Sequence, residues 1–277
     1  MEKLLAVDGS NLLFQMFYGM PARIINHEGK AIQGTLGFLG ALLKMIRMVH
    51  PTHVVVFFDG ECHNPRKDMD AAYKANRPDW EEEGENPFDQ LPDIYRALDF
   101  LGIRHAETET CETDDWMAGY ADSWKEALVI ASFDSDFFQL ISHRVQVLRY
   151  RGEKSLLCDR DWLWEKYGIR PAQYAAFKAL TGDTADNIRG LPGIGPKTAA
   201  ALMRQFGTLE GLLAGAETIQ KRSVRESVLQ NMERLRLNHL LICLKPGEAL
   251  PFTAEQLRWQ DVGYTTTEIL RAIGLKK

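Results

Sequence analysis

Residues His53–Asp59 have the sequence HVVVFFD, a run of β-branched and aromatic residues that ends in a carboxylate. Such a run predicts a buried strand. Two further apolar runs end in the same way, namely Lys3–Asp8 (KLLAVD) and Leu128–Asp134 (LVIASFD). A fourth segment, Val145–Arg149 (VQVLR), alternates between apolar and polar residues and is an additional strand candidate.

Helical patterns separate these runs. Apolar residues at helical spacing predict helices over Thr35–His50, Leu91–Leu101 and Asp114–Lys125. Strands that alternate with helices predict an α/β fold with a mostly parallel central sheet and helices on both faces. Past Thr181 the sequence changes to turn residues and short helices, so we place a domain boundary near residue 180, giving regions 1–180 and 181–277.

The composition is that of a soluble globular protein, with 277 residues, 45% hydrophobic and 26% charged. It excludes a disordered chain, a collagen-like chain and a disulfide scaffold. The net charge of −5 by itself argues against nucleic-acid binding, whose footprint is usually basic. The four cysteines are scattered, and the first residues reach Asp8 before a secretory apolar core forms. We therefore expect a cytoplasmic protein that contacts no membrane.

Acidic residues collect where elements begin or end. In a parallel sheet, ligands gather beyond the carboxyl ends of the strands, so three strand-terminal aspartates are expected at one edge. Each alone would be read as a turn former or a helix cap. Asp134 and Asp136 should project to one side if the chain stays extended, and Asp183 and Asp186 are close enough to share a helical face. The nine acidic candidates are Asp8, Asp59, Glu112, Asp114, Asp115, Asp134, Asp136, Asp183 and Asp186.

Crowded carboxylates need a counter-charge, because like charges raise one another's pKa until some take up protons. All-oxygen ligands suit Mg²⁺ or Mn²⁺, and two such ions can activate a water and stabilise the leaving oxygen in phosphodiester hydrolysis. Calcium is not excluded by the carboxylates alone, but the EF-hand spacing is absent. We expect two or more Mg²⁺, with Mn²⁺ able to substitute. Setting the nine site acids aside turns the net charge of −5 into +4 for the remaining residues.

The segment Gly190–Ala199 (GLPGIGPKTA) is rich in glycine and precedes a predicted helix, Ala199–Phe206. Backbone N–H groups at a helix start bind anions and can hold a DNA phosphate without reading sequence. Pro196 breaks the spacing of a nucleotide P-loop. The residues predicted to contact DNA here are Gly190, Gly193, Gly195, Lys197 and Thr198.

Taken together, the blocks VDGSNLLF, HVVVFFDG, CETDDWMAGYA, FDSDFFQLI and TGDTADNIRGLPGIGPKTA resemble the 5′-nuclease family. This family includes the 5′-nuclease domain of bacterial DNA polymerase I, phage 5′-exonucleases and flap endonucleases. The resemblance runs from Leu4 into the C-terminal region. It implies a PIN-like nuclease core, a helical arch at about 60–100, and a C-terminal helix-hairpin-helix region.

The resemblance also implies residue roles. Asp8, Asp59, Glu112 and Asp114 would surround a first metal cluster, with Asp115 close by, and Asp134, Asp136, Asp183 and Asp186 would form a second. The segment RKDMDAAYKANRP resembles the arch, where Arg66, Tyr73, Lys74 and Arg77 would contact the scissile phosphate and the flap. Tyr73, Lys74, Arg77 and Asp115 would be catalytic. The hairpin would bind duplex DNA, with K⁺ bridging its carbonyls to phosphate.

The function implied is a 5′-flap endonuclease and 5′-3′ exonuclease of DNA replication and repair. Its partners would be DNA with a 5′ flap or 5′ end, the RNA primer of an RNA–DNA hybrid, and a separate DNA polymerase, with the chain a monomer. Phe133 and Ser135 depart from the small or basic residues usual beside the third-strand acids. The length of 277 residues leads us to expect a stand-alone enzyme. A non-catalytic junction-binding protein and a ribonuclease of related fold are the alternatives.

Overall fold

The computed structural model describes residues 2–60, 64–76, 86–109, 111–246 and 249–277. Six strands form the central sheet, in the spatial order β3-β2-β1-β4-β5-β6. The strands are β1 (Lys3–Asp8), β2 (His53–Phe58), β3 (Arg104–Glu107), β4 (Ala127–Ala131), β5 (Val145–Arg149) and β6 (Leu156–Cys158). The pairs β1–β2, β1–β4, β2–β3 and β4–β5 are parallel, and β6 runs antiparallel to β5.

The helices pack on the sheet and extend beyond it. In the first half of the chain they are α1 (Gly9–Gly19), α2 (Gln33–Val49), α3 (Pro65–Met69), α4 (Leu91–Phe100) and α5 (Thr113–Ser123). In the second half they are α6 (Arg160–Tyr167), α7 (Tyr174–Thr181), α8 (Pro196–Phe206), α9 (Leu209–Ala214), α10 (Arg222–Gln230), α11 (Met232–Ile242) and α12 (Thr266–Ala272). A short antiparallel pair, β7 (Gly182–Asp183) and β8 (Ile188–Arg189), connects α7 to the segment before α8. Among the described residues, no helix is both long enough and apolar enough to cross a bilayer.

Alternate residues of the buried strands face two apolar clusters. Leu4 and Ala6 of β1 belong to a cluster that also takes residues from α5, α7 and α8. Leu5 and Val7 belong to a second cluster with residues from α2, α4 and α12. Because successive side chains of a strand point to opposite faces, an unbroken apolar run requires helices on both sides. The predicted α/β fold with a mostly parallel sheet is confirmed.

Two strands of the central sheet, and the short pair β7 and β8, were not predicted from the sequence. The β3 strand has the polar sequence RHAE and is largely exposed, and the three residues of β6 include two exposed leucines. Neither has the apolar run or the alternation that identifies a strand in a sequence. The third predicted strand was too long, since β4 ends at Ala131 and not at Asp134.

The predicted arch region is only partly described. Within 60–100 the described residues contain α3, a turn through Asn76, a short 3₁₀ helix over Pro87–Gln90, and α4. Arg234 of α11 binds Asp70 just after α3 at 2.7 Å, so the start of this insert is fastened to the C-terminal helices. Residues 77–85 lie outside the described residues, and with them the predicted contact residue Arg77.

The glycine-rich segment is fastened to α7 by close backbone packing. A Cβ atom on Gly190 would lie 2.3 Å from the Thr181 carbonyl carbon, whereas one on Gly195 would meet nothing within 4 Å. From the other side, the buried Asn238 of α11 donates from Nδ2 to the carbonyls of Ala179 and Arg189, at 3.0 and 2.8 Å. The hairpin therefore has a fixed position relative to α7 and β8.

These two glycines form a matched pair for a test of this packing. Gly190→Ala should lower the free energy of unfolding by about 1–3 kcal/mol, because the added methyl group has no space and backbone must move. Gly195→Ala should cost clearly less stability, since its Cβ would point into open space and only the preference for glycine at a helix N-cap is lost. Chemical denaturation of both variants measures the difference. Equal stabilities would show that the close approach at Gly190 does not constrain the hairpin.

Candidate active site

Four carboxylates line one cavity at the carboxyl edge of the sheet. The cavity has a volume of about 330 Å³ and is lined by Asp8, Ser10, Asn11, Phe14, Asp59, Lys74, Phe88, Asp114 and Asp134. Asp8 ends β1, Asp59 follows β2, and Asp134 follows β4, and these three strands are neighbours in the sheet. The parallel order of the strands therefore brings distant acids to one place, as expected from the sequence.

Hydrogen bonds from neighbouring elements hold Asp8 and Asp59 in place. Asp8 caps α1 by accepting from the Asn11 backbone N–H at 2.9 Å, and its second oxygen accepts from the Ser132 hydroxyl at 2.8 Å. Asp59 accepts from the backbone and the hydroxyl of Thr113, at 3.0 and 2.7 Å, and so caps α5 from another element. Because each acid is fixed by a neighbouring strand or helix, the cavity is organised by the fold itself.

A tight turn separates Asp134 from Asp136. The backbone N–H of Asp134 donates to the Ser132 hydroxyl at 3.0 Å, and that of Asp136 donates to Asp134 Oδ1 at 2.8 Å. A 3₁₀ helix then begins at Asp136. The chain is not extended here, so the condition under which both side chains would project to one side is not met. Asp134 lines the first cavity, and Asp136 joins a second group of acids.

The second group consists of Asp136, Asp183 and Asp186, whose carboxylate oxygens lie within 4.8 Å of one another. Asp183 ends β7, and Asp186 lies in the turn that leads to β8. Their proximity was predicted, but its cause was not: a β-turn and not a helical face brings them together. Three oxygen ligands at this separation have the chemistry and spacing to hold a hard divalent cation.

Burial and mutual repulsion both raise the pKa values of three of these acids. Burial, with Asp59 and Asp134 nearby, raises the pKa of Asp8 to about 7. Burial and the charge of Asp134 raise the pKa of Asp136 to about 7, although Lys178 acts against them. Burial and Asp134 also raise the pKa of Asp114 well above its usual value. The side chains of the protein thus leave part of the negative charge uncompensated.

Lys178 is a buried cation that the sequence did not identify as part of the site. Its ammonium forms ion pairs with both Asp136 and Asp183. Burial would raise the pKa of Asp183, but Lys178 outweighs it and holds that pKa below its usual value. One signal was present in the sequence. Lys178 is the only charged residue of the helix YAAFKALT, whose residues 174–180 are all buried.

Glu112 sits among cations and not in the first cavity. It accepts from the Lys74 ammonium, from Arg66 Nη1 at 2.6 Å and from the Tyr73 hydroxyl at 3.2 Å. Burial by itself would raise the pKa of Glu112, but Lys74 and Arg66 hold it below its usual value. Burial, Glu112 and Asp186 raise the pKa of Tyr73, which stays a neutral hydrogen-bond donor.

Arg66 and Asp115 form a buried pair. Asp115 accepts from Arg66 Nη2 at 2.8 Å and from Nη1 at 3.0 Å. Arg66 also donates to Glu112 and, at 3.1 and 3.4 Å, to the carbonyls of Leu241 and Cys243. These bonds engage all five N–H donors of a guanidinium. The arrangement favours a structural role for both residues over the predicted contacts of Arg66 with DNA and of Asp115 with metal.

Lys74 joins the two acidic groups. Lys74 lines the first cavity, its ammonium pairs with Glu112, and its backbone N–H donates to the carbonyl of Asp186 at 3.0 Å. Its φ of +55° is unusual for a residue other than glycine. Such a conformation persists where surrounding contacts impose it, and it frequently accompanies functional sites. Lys74 therefore presents a fixed positive charge beside the carboxylates.

The glycine-rich hairpin exposes backbone next to a helix start. Leu191 and Ile194 are buried and anchor the loop, whereas Gly193, Gly195 and Lys197 are exposed. Gly193 has a φ of +72°, and Gly195 is the N-cap of α8. The Ser227 hydroxyl donates to the Pro192 carbonyl at 2.7 Å and holds the loop from α10. The first-turn N–H groups of α8 are thus available to an anion.

Comparisons with known proteins agree with this arrangement. The model for the 5′-3′ exonuclease, N-terminal resolvase-like domain matches residues 3–168. The model for the 5′-3′ exonuclease, C-terminal SAM fold matches residues 169–264. The chain belongs to the 5′-3′ exonuclease family. The resemblance drawn from the acidic blocks and the hairpin is therefore confirmed.

This chain is similar in sequence to two kinds of bacterial protein. It is 36% identical over 239 residues to the thermostable DNA polymerase I of Thermus thermophilus, covering 85% of this chain but 28% of the polymerase. It is 30% identical over 260 residues to the flap endonuclease Xni of Aeromonas hydrophila, covering 92% of this chain and 95% of that protein.

Solved structures share the fold. The T5 5′-exonuclease with bound zinc ions aligns with a TM-score of 0.72 at 21% identity, over 88% of this chain and 90% of its own. The catalytic core of Rad2 in complex with a DNA substrate aligns with a TM-score of 0.62 at 17% identity, over 98% of this chain and 86% of its own. The family member therefore has the architecture of both proteins.

Lys178→Met tests whether this buried lysine is the resident counter-charge of the second acidic group. In metal-free buffer the variant should lose about 3–5 kcal/mol of unfolding free energy, as expected when one partner of a buried ion pair is removed. Added Mg²⁺ should raise its melting temperature more than that of the wild type, because the ion replaces the missing charge. Differential scanning calorimetry with and without EDTA measures both effects.

Lys44→Met is the matched control, because Lys44 is an exposed lysine of α2 on the other face of the sheet. It should melt like the wild type in both buffers. A Lys178→Met variant with the stability and the Mg²⁺ response of the wild type would show that Lys178 does not balance these acids.

Proposed function

We propose that this protein is a structure-specific 5′ nuclease that hydrolyses DNA phosphodiesters near single-strand/duplex junctions, as a 5′-flap endonuclease and a 5′-3′ exonuclease. The observation that carries the proposal is the pair of adjacent acidic groups at the carboxyl edge of the sheet, linked by the Asp134–Asp136 turn. The capping bonds of Asp8 and Asp59 account for single acids but not for the convergence of acids from so many separate elements, which a bound cation would explain. Family membership supplies the reaction class.

The cofactors in this proposal are two or more Mg²⁺ ions, with Mn²⁺ able to substitute. The first cavity offers Asp8, Asp59, Asp114 and Asp134, and the second group offers Asp136, Asp183 and Asp186. The raised pKa values of Asp8 and Asp136 fit such a use, because they show that nearby side chains supply too little positive charge to stabilise these carboxylates. Bound divalent ions activate a water for attack and stabilise the leaving oxygen of a phosphodiester.

Lys74 is the electrophilic residue in this proposal. Lys74 lines the cavity that holds the carboxylates, and its ammonium, paired with Glu112, would turn towards a phosphate bound there. A fixed cation beside a developing phosphorane charge stabilises it without needing to reorganise. Tyr73, which is buried and donates to Glu112 and Asp186, holds the acids around it. Arg77 is proposed for the flap contact by family resemblance.

The hairpin is proposed to hold the duplex. Gly190 fixes the loop against α7, and Gly193, Gly195, Lys197 and Thr198 would bind the DNA backbone, with K⁺ at the exposed carbonyls. Contacts of this kind position DNA without reading its sequence. The complex of the Rad2 catalytic core with a DNA substrate supports DNA as a ligand of this fold. We extend the proposal to an RNA primer as substrate, a separate polymerase as partner, and a monomer.

The two regions of the sequence have separate proposed roles. We propose that residues 1–180 form the nuclease core, with an arch at about 60–100, and that residues 181–277 form the DNA-binding region. The chain spans 28% of the length of the polymerase relative, so that relative's other activities carry no implication here.

A substrate panel tests the proposal. A labelled 5′-flap DNA, a single-stranded RNA and a matched blunt duplex are each incubated with Mg²⁺ or with EDTA. We expect Mg²⁺-dependent cleavage of the flap near its junction and no cleavage in EDTA. Binding of the flap without cleavage in Mg²⁺ would indicate a junction-binding protein, and preferential cleavage of the RNA would indicate a ribonuclease.

Asp134→Asn should abolish cleavage while DNA binding is largely retained. Asp134 lines the first cavity and accepts a hydrogen bond from the backbone N–H of Asp136, which belongs to the second group. Its charge therefore acts on both proposed metal positions. Asp161→Asn, at an exposed position of α6, removes the same charge away from the cavity and should cleave like the wild type. Single-turnover cleavage and fluorescence anisotropy measure the two properties. Full activity of Asp134→Asn would exclude it as a metal ligand.

Lys74→Met should reduce the single-turnover cleavage rate by about 10²–10³-fold, the usual effect of removing one preorganised electrostatic group. Affinity for the flap should change far less, since the contact strengthens only as charge develops on the phosphorane. Lys44→Met again serves as the matched control. The opposite pattern, with weak binding and a normal rate for bound DNA, would make Lys74 a docking residue.

A further inference from the structure

Phe133, one of the two departures from the usual sequence beside the third-strand acids, carries two arginines on its ring. The guanidinium carbon of Arg149 lies 5.1 Å from the ring centroid and that of Arg151 lies 4.9 Å from it. The backbone N–H of Phe133 donates to Asn11 Oδ1 at 3.0 Å, and Asn11 lines the carboxylate cavity. This cluster, Phe133 with Arg149 and Arg151, therefore adjoins the proposed active site.

The two guanidiniums have little compensation. Arg149 Nη2 donates to the Phe133 carbonyl at 3.2 Å, while its buried Nε has no hydrogen-bond partner among the described residues. In the same described part of the chain, neither arginine forms a salt bridge, and the exposed Arg151 side chain makes no hydrogen bond. Two cations on one aromatic ring repel each other, and a buried N–H without a partner is unfavourable. The crowding of two cations points to an anion at the exposed Arg151 side chain as the missing partner, and such an anion would offset the charge of Arg149 without contacting its buried Nε.

The cluster lies at the same edge of the sheet as the proposed active site, where the DNA strand would pass. Leu148 of β5 lies opposite Ala131 of β4, so Arg149 is at the same edge of the sheet as the acids. Two strand spacings separate β5 from β1, or about 10 Å, which is roughly three nucleotides of a duplex strand at 3.4 Å each. Val145 and Val147, which share the face of Arg149, belong to the apolar cluster that includes Leu191 and Ile194 of the hairpin.

We propose that Phe133, Arg149 and Arg151 form a phosphate-binding subsite for the nucleic-acid strand, a few nucleotides from the scissile phosphodiester. The proposal rests on the proposed function and adds a contact to it. Guanidinium groups bind phosphate oxygens through paired N–H donors, and an aromatic face supports them in the required orientation. The ligand is the phosphodiester backbone, so the contact is independent of base sequence.

Backbone neutralisation tests this subsite. Flap DNAs that each carry one uncharged methylphosphonate, scanned along both strands near the junction, are bound to the protein in EDTA, where no cleavage occurs. For the wild type we expect one or two positions outside the scissile site at which the substitution weakens binding. Arg151→Gln should make those positions silent and reduce the slope of log Kd against log salt by about 1, the value for one lost phosphate contact.

Three further variants separate charge from packing. Arg149→Lys keeps the charge beside Phe133 and should retain most of the salt dependence. Arg149→Gln should behave like Arg151→Gln, and its melting temperature shows whether the stacking on Phe133 also supports the fold. Arg47→Gln, at an exposed position of α2, removes one charge elsewhere and should keep the wild-type slope and scan.

The outcomes are distinct. If the wild type cleaves the flap but Arg151→Gln has an unchanged slope and an unchanged methylphosphonate pattern, the subsite is wrong while the nuclease proposal stands. If the wild type neither binds nor cleaves the flap, the proposed function fails and the subsite fails with it.

Discussion

The repulsion among carboxylates at one edge of the sheet is the constraint on which the rest of the structure depends. The parallel order of β1, β2 and β4 brings Asp8, Asp59 and Asp134 together, and the β7–β8 turn adds Asp183 and Asp186. In a partly buried site such charges strongly disfavour one another. Basic side chains at fixed positions offset part of this negative charge. A divalent cation can offset the remainder.

Three basic side chains offset the negative charge of these acids in different ways. Arg66 is fully engaged in a buried pair with Asp115 and Glu112, so it fixes the start of α5. Lys178 lies between Asp136 and Asp183 within the second group. Lys74 pairs with Glu112 and lines the cavity, where we propose that it meets the scissile phosphate. A buried ion pair is weak evidence for stability, but it does specify geometry, and geometry is what metal-assisted chemistry needs.

The sequence predicted the parts of this architecture that local patterns encode. The apolar runs of β1, β2 and β4 predicted the centre of the sheet, because strands buried on both faces leave no polar interruption. The alternating sequence of β5 predicted a fourth strand. The β3 strand escaped prediction since its sequence, RHAE, is polar and its pairing is decided by β2. Asp183 and Asp186 were correctly paired but for the wrong reason, as a turn and not a helix unites them. The contacts of Arg66 and Lys178 depend on partners distant in space, which no local pattern reveals.

A count of bound divalent ions tests the central claim most directly. Isothermal titration of Mn²⁺ into EDTA-treated and dialysed protein, with no DNA present, reports the stoichiometry without relying on activity. If the carboxylate edge is a metal site whose charge the protein leaves uncompensated, at least two ions should bind saturably to each chain. The absence of saturable binding would contradict it, because the acids would then be balanced by the protein alone.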